Sequence, residues 1–138
     1  MPRIFEKPIT VSKEHIDELG HVNNLVYLGW FVGAAIEHST ARGWPPEAYL
    51  KLGAGWVVRK HEIEYFAPAF PKDELLVRTW VESISGGSSV RRYELLRKSD
   101  QKKLAGASTV WVWIDFKTGR PGRIPPEVLS GFEVVGPT

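Results

Sequence analysis

Ile16-Asp17-Glu18-Leu19-Gly20-His21-Val22-Asn23-Asn24-Leu25-Val26-Tyr27 is the stretch on which the fold turns. A polar, glycine-containing segment ends in two asparagines, and an apolar run follows at once. Asn23 or Asn24 is a suitable N-cap, because an amide oxygen can accept one of the orphan N–H groups that open a helix. Leu25, Leu28, Gly29, Val32, Ala35, Ile36 and Ser39 then recur at three- and four-residue spacing. This predicts one helix of about five turns with that set as its apolar face. Gly43 is the expected stop, and Pro45-Pro46 forbids continuation.

Working outward, Ile4 to Val11 reads as a short first strand, and Pro46 to Leu52 as a short second helix before Gly53-Ala54-Gly55. The remainder is strand-like: Trp56 to Phe66, Glu74 to Ser83, Ser88 to Lys98 and Lys103 to Phe116. Gly86-Gly87 and Ser99-Asp100-Gln101 are short turns, so consecutive strands form antiparallel hairpins. Lys117 to Pro126 is rich in Gly and Pro, and Glu127 to Phe132 is a candidate terminal helix. One helix against a five-stranded antiparallel sheet is an α+β arrangement. A chain of 138 residues fits one domain, residues 1–138.

Lys103 to Phe116 carries Val110, Val112, Ile114 and Phe116 in one phase and Ala105, Ala107, Trp111 and Trp113 in the other. A strand apolar on both faces is covered on both faces. One helix covers only one, so a second subunit is expected. Six Trp in so short a chain exceed ordinary core needs and suggest a pocket or an interface.

The absence of cysteine excludes disulfides, thiolate nucleophiles and Cys-based zinc sites. A net charge of +2 does not argue for nucleic acid. No run approaches a membrane span, and the start of the chain lacks a signal-peptide pattern, so a cytoplasmic protein is expected.

The chemistry concentrates around the quoted stretch. A helix N-terminus offers unpaired N–H groups and partial positive charge to a developing oxyanion. Asp17, just upstream, could attack a carbonyl or activate water; equally, it could only cap a turn. His21 could orient Asp17 or a water, or simply hydrogen-bond the backbone. The spacing of His15, Asp17 and His21 matches no metal motif, so no metal is expected. Glu37 lies thirteen residues beyond Asn24, about 20 Å along the axis, too far to share that helix end. Arg91-Arg92, Arg97-Lys98 and Lys102-Lys103 read as a basic hairpin, with Arg120 and Arg123 in the tail. These suit a phosphate-bearing ligand or form a solvated face. Trp30, Phe31, Trp44, Tyr49 and Trp56 are either core or an acyl pocket.

Asp17-x-x-Gly20-His21-Val22-Asn23-Asn24-x-x-Tyr27, together with the element order, resembles the hotdog fold of the 4-hydroxybenzoyl-CoA thioesterase-like acyl-CoA thioesterases. Arg123-Ile124-Pro125 is a weaker match. The resemblance implies a long helix wrapped by the five-stranded sheet, and hydrolysis of an acyl-CoA thioester to free acid and CoA. It implies a catalytic Asp17 and a backbone N–H at Asn24 that binds the thioester oxygen; from the residues themselves, His21 is a candidate to orient Asp17 or a water, and the Asn23 side chain to position water or serve structure. Gly20, Tyr27, Arg91, Arg92, Arg120 and Arg123 are the expected substrate-binding residues. It further implies a homodimer or homotetramer with sites at subunit interfaces. No cofactor is required, because a thioester is already activated. His21 and Asn24 depart from members with a hydrophobic and an aromatic residue there; the His-Val-Asn-Asn version also occurs among long-chain and plant-type acyl thioesterases, which leaves the acyl class open. Two rival readings remain. A hotdog hydratase or dehydratase resembles Asp-x4-His with Pro before the His, which differs from Asp17 and His21. A non-catalytic acyl-CoA or acyl-carrier binding protein would have no need of Asp17.

Overall fold

The computed structural model describes residues 4–135. β1 (Phe5–Thr10) leads through one 3₁₀ turn (Lys13–His15) to α1 (Asn24–Ala41) and α2 (Pro46–Leu52). β2 (Ala54–Tyr65), β3 (Glu74–Ser85), β4 (Ser88–Arg97) and β5 (Lys103–Asp115) follow, then a single-turn α3 (Pro126–Leu129). The strands form one antiparallel sheet in the order β1-β3-β4-β5-β2. α1 packs on one face of it, which is the hotdog arrangement expected.

Gly43 and Gly53 adopt φ of +93° and +82°, the left-handed conformation that ends both helices. α1 is capped by Asn23, whose Oδ1 accepts the Leu25 N–H at 2.9 Å. Its inward stripe is Tyr27, Phe31, Ala34, Ala35 and His38. This corrects the expected face. Only Ala35 belongs to both sets; Leu25 is 79% exposed and Ile36 is exposed as well. The cause is that α1 is apolar on nearly all sides, so spacing shows a helix without fixing its phase. Size settles the phase, since Phe31 and Tyr27 bury more area than leucines could on the opposite side.

Beneath α1, Phe31 and Tyr27 pack with Leu75, Val77, Tyr93, Leu95 and Leu104. A second cluster around Trp113, Ile124 and Val128 is closed by Trp44, Tyr49 and Trp56. Truncating Phe31, which is wholly buried, would cost about 3–5 kcal/mol through lost transfer energy and a cavity. β2 and β1 are the two sheet edges, and β2 leaves Val57 and Val58 exposed. Among the described residues, no helix is long and apolar enough to cross a membrane.

Candidate active site

The Asp17 segment is tied down at both ends. Asp17 N–H donates to His21 O at 3.0 Å, and Gly20 N–H to Asp17 O at 3.1 Å. Gly20 takes φ +82°, a conformation that favours glycine. The turn puts the Asp17 and His21 side chains on one side, with Oδ1 to Nδ1 at 4.0 Å. That is an electrostatic contact rather than a hydrogen bond. Asp17 Oδ1 also accepts the Leu19 N–H at 2.9 Å. The turn-capping role is therefore real, and it fixes the carboxylate in place.

Val22 N–H donates to Ala69 O at 3.0 Å and Asn23 N–H to His15 O at 2.9 Å. The Tyr65 hydroxyl donates to Asn24 O at 2.9 Å, so the end of β2 clasps the first residue of the helix. Leu25 N–H goes to Asn23 Oδ1 and Val26 N–H to Asn23 O, at 2.9 and 3.0 Å. Asn24 N–H has no acceptor among the described residues. It is an unspent donor at the helix start, seven positions after Asp17 in the chain.

Tyr27 is buried rather than available to substrate, which corrects that expectation. Its hydroxyl accepts the Ala69 N–H at 3.2 Å, and its ring packs on Tyr65 with centroids 5.2 Å apart. Burial pushes its phenol up, so it stays protonated. Its service is to hold the loop that anchors Val22. His15 is similarly occupied: its Nδ1 accepts the Ser12 N–H at 3.0 Å, and its ring meets Trp30 edge-on. Among the described residues, no group of three or more side chains could hold a metal ion. Glu37 pairs with Lys7 of β1.

The basic hairpin is not one surface. Arg91 is a second correction: it is 6% exposed and points under α1, where it cannot meet a phosphate in solvent. Neighbouring strand residues face opposite ways, so Arg92 points out and pairs with Glu82 at 3.1 Å. Arg97 is spent on Asp73, Asp100 and Pro68 O. Arg120 and Arg123 are exposed, beyond the Asp115 end of β5. The Asp17 segment hangs from Ala69 near the other end, where Ala67 N–H bonds Leu104 O. In one chain the structure therefore does not bring Arg120 or Arg123 to Asp17.

The profile of the thioesterase-like superfamily matches residues 11–132. The chain belongs to the thioesterase-like superfamily. The chain is similar to the acyl-CoA thioester hydrolase YbgC of Escherichia coli O157:H7. The two are 26% identical over 130 residues, covering 94% of this chain and 96% of that protein. The chloroplastic acyl-acyl carrier protein thioesterase ATL3 of Arabidopsis thaliana is 26% identical over 135 residues, 96% of this chain and 69% of that protein. In fold, Slr0204 from Synechocystis, a 1,4-dihydroxy-2-naphthoyl-CoA thioesterase, superposes with a TM-score of 0.86 at 21% identity. That match covers 93% of this chain and 94% of that one.

Sequence reasoning missed Tyr65, whose hydroxyl clasps the helix start from 41 residues away. Nothing local marks it, because the contact is made only when β2 returns along the sheet.

Proposed function

We propose that this protein is an acyl-CoA thioesterase in which Asp17 and the start of α1 form the reacting centre. The observation that carries the reading is the Asn24 N–H, without an acceptor among the described residues, at a helix start that follows by seven positions a carboxylate held by its own turn. With Asp17 as base, water adds to the thioester carbon while Asp17 takes its proton. The oxygen gains negative charge against Asn24 N–H and the helix dipole. The tetrahedral adduct then expels the CoA thiolate, which recovers the proton from Asp17. With Asp17 as nucleophile, its oxygen bonds the carbonyl carbon, CoA leaves, and water opens the resulting anhydride. His21, at 4.0 Å, supports the carboxylate or the water, and Asn23 shapes the donor array by consuming the Leu25 and Val26 N–H groups.

The working unit of this reading is at least a homodimer, and a homotetramer is compatible with it. A twelve-residue edge strand, β2, exposes Val57 and Val58, and α1 exposes Leu25 and Ile36. A long unpaired strand edge is a template for pairing with another chain. The two-fold copy would also carry Arg120 and Arg123 towards another subunit's substrate, where the phosphates of CoA suit exposed arginines. The protein is assigned to the cytoplasm, where acyl-CoA is available, with no cofactor, nucleic acid or membrane in its action. Similarity to an acyl-carrier thioesterase supports a second reading in which the same centre takes an acyl-carrier substrate.

Release of free thiol from a panel of short, long and aromatic acyl-CoAs, beside an acyl-carrier thioester, tests this. Turnover of at least one acyl-CoA is expected. Binding of acyl-CoA without release of thiol from any of them would leave a non-catalytic binding protein.

A further inference from the structure

α1, α2 and the sheet enclose a cavity of about 350 Å³ at the end of the molecule away from Asp17. Its walls are aromatic, with Trp44, Tyr49, Trp56 and Trp111 among them, and Ile36 stands at its mouth. Pockets of this size and polarity hold small molecules. Arg91 also lines it, and Arg91 is 6% exposed. Its hydrogen bonds leave from Nη1, to His38 Nδ1 at 2.9 Å and Thr79 Oγ1 at 3.2 Å. A guanidinium only donates, so His38 Nδ1 accepts and the ring is neutral. Thr79 is neutral as well. Among the described residues no carboxylate pairs with Arg91. Tyr49 and Tyr93, the other ionisable groups facing it, are kept protonated by burial. Nε and Nη2 have no acceptor among the described residues. A buried charge without a counter-charge is costly, and such charges are normally paired.

We propose that this cavity is a binding site for a free carboxylic acid with an apolar body, whose carboxylate pairs with the guanidinium of Arg91 while its body lies among the tryptophans. The charged fork supplies bidentate recognition, and the walls supply apolar contact. The acid is free rather than part of a thioester in the Asp17 site of the same chain. Ser39 at the cavity is fifteen residues beyond Asn24, about 22 Å along α1. A thioester also has no charge at its carbonyl. The same carboxylate chemistry could arrive on the far end of a dicarboxylic acyl chain from a second subunit, and the test separates the two. The inference stands apart from the thioesterase reading, because binding alone decides it.

Sodium octanoate is titrated into the intact protein, with tryptophan fluorescence and calorimetry as readouts, and 1-octanol as the uncharged match. Saturable octanoate binding is expected, with octanol weaker by about tenfold or more. Arg91→Met, checked for native near-ultraviolet circular dichroism, should bring octanoate down to the level of octanol. If that variant does not fold, Ile36→Trp keeps Arg91, fills the mouth and should weaken both ligands. Equal affinity for octanoate and octanol overturns the proposal. So does absence of saturable octanoate binding at millimolar concentration, or undiminished octanoate binding by folded Arg91→Met or by Ile36→Trp. In Asp17→Asn, with no release of thiol during the titration, displacement of octanoate by octanedioyl-CoA but not by octanoyl-CoA would overturn the assignment to a free acid and give the carboxylate to an acyl chain.

Discussion

His38 shows how one side chain couples burial to pH. It is 4% exposed, stacked on Phe5 at 5.3 Å and edge-on to Phe132 at 6.0 Å. Desolvation lowers its pKa from 6.5 to about 4, and the charges of Arg91 on β4 and Arg42 at the end of α1 add to this. The unfolded chain thus takes up a proton that the folded chain refuses. Stability contributed by the neutral ring is complete above about pH 6.5 and is lost as pH falls to about 4. The loss approaches about 3 kcal/mol at about 1.4 kcal/mol per pH unit. Urea unfolding at pH 7.5, 5.5 and 4.5 should show this fall, and His38→Gln, which keeps an acceptor for Arg91, should flatten it. An unchanged slope in His38→Gln would assign the acid sensitivity to other groups. The sequence holds the signal that Arg91 faces inward, for Ser89, Arg91, Tyr93 and Leu95 share one strand phase and all are buried. What it does not hold is the partner: His38 lies 53 residues earlier on a helix. Asp17, Gly20 and Asn23 were legible because their geometry is made within a few residues of themselves.

Among the elements, strands and turns were readable to within a few residues, since Gly, Pro and polar turns bracket each one. The 3₁₀ turn at Lys13–His15 was not, because a single turn leaves no periodicity. The phase of α1 was not either, for want of a polar face. Its exposed apolar side and the β2 edge point to association. Val57→Lys with Val58→Lys places charge on the free edge, a means by which edge strands avoid pairing. Sedimentation equilibrium should show a wild-type dimer or larger assembly and a shift of the double variant towards monomer. A wild-type monomer at micromolar concentration would remove the β2 interface.

At the level of the whole molecule, the proposed reacting centre and the apolar cavity stand at opposite ends of α1. The exposed Arg120 and Arg123 lie beyond the far end of β5, so in the proposed function they would meet CoA only across a subunit interface. Exposed phosphate contacts are screened over a Debye length of about 8 Å at physiological salt. Raising salt should therefore raise KM for acyl-CoA more than it changes kcat, and Arg120→Gln with Arg123→Gln should raise KM and blunt the salt effect. Such contacts bind ground and transition states alike, which places their loss in KM. A KM flat to both salt and substitution would move the nucleotide elsewhere.

In the proposed function Asp17 performs the chemistry. Asp17→Asn keeps an oxygen for the Leu19 N–H, and so keeps the turn, while removing charge and basicity. The most direct measurement is kcat of this variant on the best acyl-CoA of the panel. A fall of about 10²-fold or more, with KM and thermal stability near wild type, is the predicted result. Near-native turnover by Asp17→Asn would contradict a role for Asp17 as base or nucleophile and leave it as the cap of a turn.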